Sequence, residues 1–456
     1  MAYHYTEAGL IAQAVPYWRK AGRAAIARSA HVEAIAHFRH GLELLGTLPH
    51  SPERVTEELR LQLMLTTPLA ATLGYTHPEL EQACNRARDL CGQESDSPRL
   101  FAVLGRLFSI YYSRGENTTT SELGRRMLAL AERVGDNRLL MWAHYSMGFN
   151  SQAQGDVLAA RFHLEKSIAL YQPEKSAAYD YDWVQHPGPT GLGMLAYVLY
   201  TLGYPDQALQ RAREALAMAR AQGHSYTLAW VLGPVVGVLL RRGDYREAKE
   251  LAEERLALCA EQGFLSLSSL ATAQYGFVLV LLGHSEEGAK QIRQGLAVDS
   301  HTDAIQVRSL GQFPEWCRGP QLRLHQYLAA RALAKIGRST EAFSILTGML
   351  AVFEQSSNSS VKADFYILKG NLLLIEGASH RAEAAENYGH AIELARLNSD
   401  RMAELEATTH LARLLDQQQR RDEARTMLTE IYSWFTEGFD TTDLKEAKAL
   451  LDELSR

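Results

Sequence analysis

Apolar and polar positions along this chain fall into helix-like runs of about 17 residues, each about 25 Å long at 1.5 Å per residue. Sustained period-2 alternation between turn clusters, the mark of strands, is absent. Glycines punctuate the runs at one phase: Gly115, Gly155, Gly203, Gly243, Gly283, Gly337 and Gly377. Their successive gaps are 40, 48, 40, 40, 54 and 40 residues, and a fixed period of that size marks a stacked repeat protein. Seven residues before the phase glycine stands a small residue at Gly148, Ala196, Gly276, Ala330 and Gly370, with Val236 and Phe108 departing from the rule. Five residues after it come Ala160, Ala208, Ala248, Gly288, Ala342 and Ala382, with Thr120 the exception. Small residues at fixed phase let two helices approach closely, as a helical hairpin requires. Gly135, Gly223 and Gly263 each end a helical run and suit the left-handed position that closes a helix.

The unit is therefore two helices joined by a turn that carries capping or helix-starting residues: Asp156, Pro205 with Asp206, Asp244, Ser285 and Ser339. Extending the phase backwards pairs 15–30 with 31–45 and 52–73 with 78–91. Forwards it pairs 401–417 with 422–435 and leaves a last helix at 443–454. The expected fold is all-α, a right-handed superhelical solenoid of about ten helix-turn-helix repeats with a period near 40 residues. Its expected divisions are N-terminal repeats (1–171), an inserted loop (172–189), central repeats (190–297), a second insertion (298–320), C-terminal repeats (321–438) and a capping helix (439–456).

Composition narrows the function classes. The chain has 456 residues, 46% of them hydrophobic, enough to bury a large continuous core. A net charge of -6 argues against a phosphate-backbone binder, so no nucleic-acid partner is expected. Four cysteines (Cys84, Cys91, Cys259, Cys317) without a C-x-x-C pair argue against a disulfide framework or a zinc site. The start, MAYHYTEAGL, lacks a basic region followed by an apolar run, so it does not read as a signal peptide. The longest apolar run, 226–240, contains Gly233 and Pro234 and is too short to span a bilayer. It reads as a buried helix, with no membrane partner and a cytoplasmic location as the expectation. Tyr3, Tyr5, Leu10, Ile11, Val15, Tyr17 and Trp18 crowd the first turns with apolar surface. Either a short first helix packs on the next hairpin and hides it, or further chain precedes it in the natural context.

A period of 40 also suits HEAT or armadillo arrays, but the residues favour another reading. LGYPDQALQRAREALAMA (202–219), RGDYREAKELAEERLAL (242–258) and IGRSTEAFSIL (336–346) resemble tetratricopeptide repeats with lengthened helices, lacking that family's closing proline. HYTEAGLIAQAVPYWRKAGRAAIARSAHVEAIAHF (4–38), EEGAKQIRQGLA (286–297) and WFTEGFDTTDLKEAKALLDEL (434–454) are similar to a narrower group. These are the C-terminal tetratricopeptide regions of bacterial multidomain signalling proteins that join a class III adenylate/guanylate cyclase domain to a STAND-like P-loop ATPase. The resemblance covers nearly the whole chain but departs at 298–320. It implies a regulatory arm whose partners include upstream ATPase and cyclase domains of the same polypeptide.

No Walker A loop and no H-E-x-x-H occurs, so any cyclase or ATPase activity belongs to domains outside this sequence. No catalytic residue, metal or cofactor is expected. Three near-motifs read as ordinary structure. His31, His37 and His40 share one helix, and His37 with His40 has chelating spacing, but a third ligand is missing, so a solvated helix face is expected. Gly188, Gly191 and Gly193 have the wrong order for a dinucleotide loop and no preceding strand. Asp180 and Asp182 read as loop solvation.

The strongest functional signal is an aromatic series. By the tetratricopeptide register, the first helix of each hairpin faces an inner groove at positions holding Tyr112; Trp142, Tyr145 and Phe149; Tyr197 and Tyr200; Trp230; and Phe277. Rigid aromatics suit a partner-binding surface, and they equally suit the packed interior of a tight superhelix. In the inserted loop, Tyr179, Tyr181, Trp183 and His186 read either as a lid over the groove or as a plain spacer. The expected function is a non-catalytic interaction or sensor module for a protein or peptide partner. The alternatives are a freestanding scaffold and a small-ligand receptor with an aromatic groove.

Overall fold

A computed structural model describes residues 1–91, 98–172, 185–298, 320–354 and 361–456, and among these every regular element is a helix. A short α1 (Ala2–Glu7) precedes ten hairpins. The first five are α2 (Ile11–Ala27) with α3 (His31–Gly46), α4 (Pro52–Leu73) with α5 (Pro78–Cys91), α6 (Pro98–Arg114) with α7 (Asn117–Val134), α8 (Asn137–Ala153) with α9 (Val157–Leu170), and α10 (Pro187–Thr201) with α11 (Pro205–Gln222). Next come α12 (Ser225–Arg242) with α13 (Tyr245–Gln262) and α14 (Leu265–Leu281) with α15 (Ser285–Val298). The last three are α16 (Pro320–Lys335) with α17 (Ser339–Glu354), α18 (Lys362–Glu376) with α19 (Arg381–Asn398), and α20 (Arg401–Gln417) with α21 (Arg421–Tyr432). A final α22 (Thr442–Leu454) closes the array.

The phase glycines are conformational requirements. Six of the seven, Gly115 through Gly337, take φ between 73° and 94°, where a Cβ would strain the backbone. Gly377 departs, with φ 144° and ψ 168°, and leads into a single 3-10 turn at Ala378–His380. Gly135, Gly223 and Gly263 close α7, α11 and α13 in the left-handed conformation. Of the small residues seven before and five after the phase glycine, Gly276 and Gly288 meet directly, whereas Gly148 and Gly370 face Leu164 and Tyr388, and Ala382 is exposed. A Cβ on Gly276 would lie 2.7 Å from the Gly288 carbonyl oxygen, so α14 and α15 touch backbone to backbone. Pro234 lies inside α12, which is buried along almost its whole length.

The inserted loop is shorter than its spacing suggests. His186 occupies the N-cap of α10, and Pro187 takes the first helical position, where its missing N–H leaves no bond unmade. Residues 187–189 are thus helix, and Gly188, Gly191 and Gly193 lie within α10. Residues 173–184, including Tyr179, Asp180, Tyr181, Asp182 and Trp183, lie outside the described residues, as do 299–319 of the second insertion. At the start, Tyr5 stacks on Tyr17 at 5.2 Å and the Trp18 indole donates to Thr6 Oγ1 at 3.0 Å. The short helix therefore covers part of the apolar surface, while Tyr3 and Leu10 stay exposed.

Beyond nearest neighbours, helices ten apart in order also meet: α4 with α14, α6 with α16, α10 with α20 and α12 with α22. One superhelical turn therefore takes five hairpins, and successive turns touch. The glycine turns lie at this seam. Gly155 faces Asn398, Gly203 lies under Trp434 and Arg401, Gly243 faces Thr442, and Gly438 lies against Pro205. Around them Arg242 pairs with Asp206 at 2.9 Å, Asp244 at 3.3 Å and Asp440 at 2.9 Å. Glu437 Oε1 accepts from the backbone N–H groups of Asp206 and Gln207, capping α11 from the next turn.

This seam separates two effects of a Cβ. Gly223→Ala meets open space and should cost about 1 kcal/mol for its left-handed backbone. At Gly203 a Cβ would come 2.5 Å from the Trp434 ring, so Gly203→Ala should cost about 1–3 kcal/mol more through overpacking. Urea unfolding of both variants measures the difference; equal losses would mean that the seam contributes no stability.

Candidate binding cavity

The superhelix encloses a cavity of about 480 Å³. Its walls are the first helices of the third to tenth hairpins, from Tyr112 on α6 to Met402 on α20, together with α13 and α22. All eight aromatics of the expected series are buried on first helices. Five of them line the cavity: Tyr112, Tyr197, Tyr200, Trp230 and Phe277. Trp142, Tyr145 and Phe149 do not. They pack behind the wall as a ring ladder, Trp142 to Tyr145 at 5.3 Å, Tyr145 to Phe149 at 4.5 Å and Phe149 to Trp230 at 5.5 Å. The series thus divides between the two arrangements the register allowed, because residues one helical turn apart on α8 turn partly towards neighbouring helices.

Of the loop residues only His186 is described, and it does not line the cavity. Its ring packs on His224 at 4.8 Å, and its backbone N–H donates to Thr227 Oγ1 at 3.0 Å. The three histidines of α3 diverge. His31 is buried against Phe264, with its pKa lowered by burial. His37 and His40 flank Trp18 and face Glu33 and Glu43. Among the described residues no group of three or more His, Cys, Asp or Glu could hold a metal ion, and no helix is long and apolar enough to cross a membrane.

A charged cluster that sequence reading passed over shares the cavity. Asp364 on α18, Glu406 on α20 and Asp443 on α22 face Arg241 on α12 and Arg331 on α16. Arg241 lies over the Tyr197 ring at 5.0 Å and donates to the Tyr197 hydroxyl at 3.0 Å, while Arg331 donates to the Tyr327 hydroxyl at 3.0 Å. The phase frame already contained two members of this cluster. Asp364 stands thirteen residues before its glycine, as Trp142 and Trp230 do, and Arg331 stands six before, as Phe149, Tyr197 and Phe277 do.

Burial dominates the electrostatics here. It pushes the Asp364 carboxyl up to about 6, with Arg241 acting in the opposite direction. Asp400, which caps α20 through Ala403 N–H, is pushed up to about 7 by burial and by Asp364. Asp443 is pushed up to about 7 by burial and by Glu406. Burial likewise raises Tyr197 to about 12. A carboxyl whose folded pKa is raised binds its proton more tightly in the folded state. Its contribution is therefore full below pH 3.8 and is lost as pH rises through about 7.

Asp443→Asn should accordingly flatten the fall in stability between pH 6 and 8, gaining about 1 kcal/mol over the parent at the upper end. Urea midpoints of the two proteins at both pH values test this, since the histidines contribute equally to each. Parallel pH profiles would contradict it.

No family model matches the chain. Over 399 residues it is 20% identical to an uncharacterized protein of Rhizobium meliloti (strain 1021), an alignment covering 85% of this chain and 36% of that protein. The chain thus spans about a third of the length of that curated relative. Among solved structures it is similar to the APC/C hetero-tetramer Cut9-Hcn1, with TM-score 0.54 and 12% identity over 97% of this chain and 76% of that one. A Rap protein complexed with competence and sporulation factor aligns over 98% of this chain and 99% of its own, at 12% identity and TM-score 0.48. At the level of fold, the chain is a tetratricopeptide-like helical solenoid.

Proposed function

We propose that this chain is a non-catalytic sensor module that binds a peptide or small effector in its axial cavity. The observation that carries the reading is the origin of the cavity walls. They come from both superhelical turns, so one occupant touches helices far apart in sequence. The volume of about 480 Å³ falls within the roughly 300–1,000 Å³ of ligand sites and is too small for a folded domain. An occupant that makes more contacts when the turns are closed favours the closed superhelix, which is the differential contact that signalling requires. In its natural setting the module would bias attached cyclase and ATPase domains. The residue resemblance supports this setting, as does a relative far longer than this chain.

Gly237 offers a clean test. It lies on the cavity wall, and a Cβ there would meet nothing within 4 Å. Gly237→Phe should therefore fill the cavity while keeping or raising the melting temperature, because glycine inside a helix costs about 1 kcal/mol. A thermal-shift screen with di- to pentapeptides and small metabolites should yield compounds that stabilise the parent and not the variant. Hits that stabilise Gly237→Phe equally, or no hits on the parent, would refute the reading.

A further inference from the structure

Four acidic and four basic residues line the cavity. Asp364, Glu406 and Asp443 on its wall share Arg241 and Arg331. The other charged residues on the wall are Arg255, Lys335 and Glu446. Arg255 lies behind Gly233 and donates to the Ala229 carbonyl at 2.9 Å and to Gln274 Oε1 at 2.7 Å. Lys335 is exposed at the rim, and Glu446 pairs with Arg413 at 3.2 Å. The two arginines meet their carboxylates loosely, Arg241 to Asp364 at 3.9 Å and Arg331 to Glu406 at 3.5 Å. Their close hydrogen bonds go to tyrosine hydroxyls instead.

Asp364 is the sharpest case. It is 4% exposed, lines the cavity and accepts no hydrogen bond among the described residues. Asp443 receives only the Tyr200 hydroxyl at 3.5 Å. A buried carboxylate without hydrogen bonds is costly, and it is relieved either by a proton or by a cation. The surrounding surface suits the cation. Tyr197, Tyr200 and Tyr327 line the same cavity, and their rings already face cations, Arg241 at 5.0 Å and 5.9 Å from the first two and Arg331 at 5.9 Å from the third. Trp230 and Phe277 provide an apolar wall beside them.

We infer that the occupant of this cavity carries an ammonium or guanidinium group that docks among Asp364, Glu406 and Asp443, with an apolar body against Trp230 and Phe277. The inference rests on the effector-binding reading above and specifies the chemistry of that effector. A lysine-bearing peptide and a free organic amine share this chemistry.

The test uses N-acetylated, C-amidated pentapeptides of leucine and tyrosine ending in lysine, norleucine or glutamate, with tryptamine and spermidine as free amines. Titration calorimetry on the full chain should show the lysine peptide or a free amine binding at least about tenfold tighter than the norleucine peptide. Asp364→Asn and Asp443→Asn should each reduce that preference severalfold and leave norleucine-peptide binding unchanged. Helicity by circular dichroism checks that both variants fold, and the half-buried Asp443 carries the test if Asp364→Asn does not. Preference for the lysine peptide assigns the cation to a peptide, and preference for tryptamine or spermidine assigns it to a small amine. Norleucine or glutamate peptides that bind as tightly as lysine, and are blocked by Gly237→Phe, would overturn the cation while leaving the effector reading intact. Binding by none of the probes up to about 1 mM would overturn the inference as well.

Discussion

The contact between successive superhelical turns is the constraint on which the rest of this molecule depends. A helical solenoid ordinarily touches only its sequence neighbours, and its stability is a sum of local terms. Here the backbone curls tightly enough that the eleventh helix along meets the first of the set, and the groove becomes an enclosed cavity. The approach is close because glycine turns form the seam. Gly203 and Gly243 supply a left-handed backbone and, lacking a side chain, also leave room for Trp434 and Thr442. Either need alone would select glycine, and at these positions both apply.

Electrostatics at the seam favour the closed form without a heavy desolvation cost. The Arg242 side chain is 5% exposed, whereas its partners Asp206, Asp244 and Asp440 remain 52%, 46% and 68% exposed. One guanidinium is buried and three carboxylates keep their water, so most of the penalty of a buried ion pair is avoided. Arg242 and Asp440 are 198 residues apart, so closure is a non-local contact between hairpins far apart in sequence. The cavity, whose walls run from α6 to α22, therefore needs hairpins of both turns.

The hairpins were legible in the sequence because their determinants are local. Phase glycines, small residues and caps act within one repeat, and the expected boundaries 52–73, 78–91 and 401–417 coincide with α4, α5 and α20. The five-hairpin pitch was not legible. It accumulates from small rotations at each helix interface, and no single residue encodes it. Gly377 shows the limit of the phase argument, since the glycine is in register and yet has another conformation. The aromatic series was found, but its division was not, because register places a residue on a helix and neighbouring helices decide what it faces. Asp364 and Arg331 occupy the same register as aromatics of other repeats, and register alone does not distinguish a buried charge from a packed ring. Local rules failing at one place, while they hold elsewhere, is how a site shows itself in a repeat array.

The seam and the cavity are joined through adjacent residues. Arg241 faces the cavity and Arg242 faces the seam, and Thr442 meets Gly243 while its neighbour Asp443 lines the cavity. Successive side chains on an α-helix diverge by about 100°, given 3.6 residues per turn, so one short stretch of α12 and one of α22 serve both surfaces.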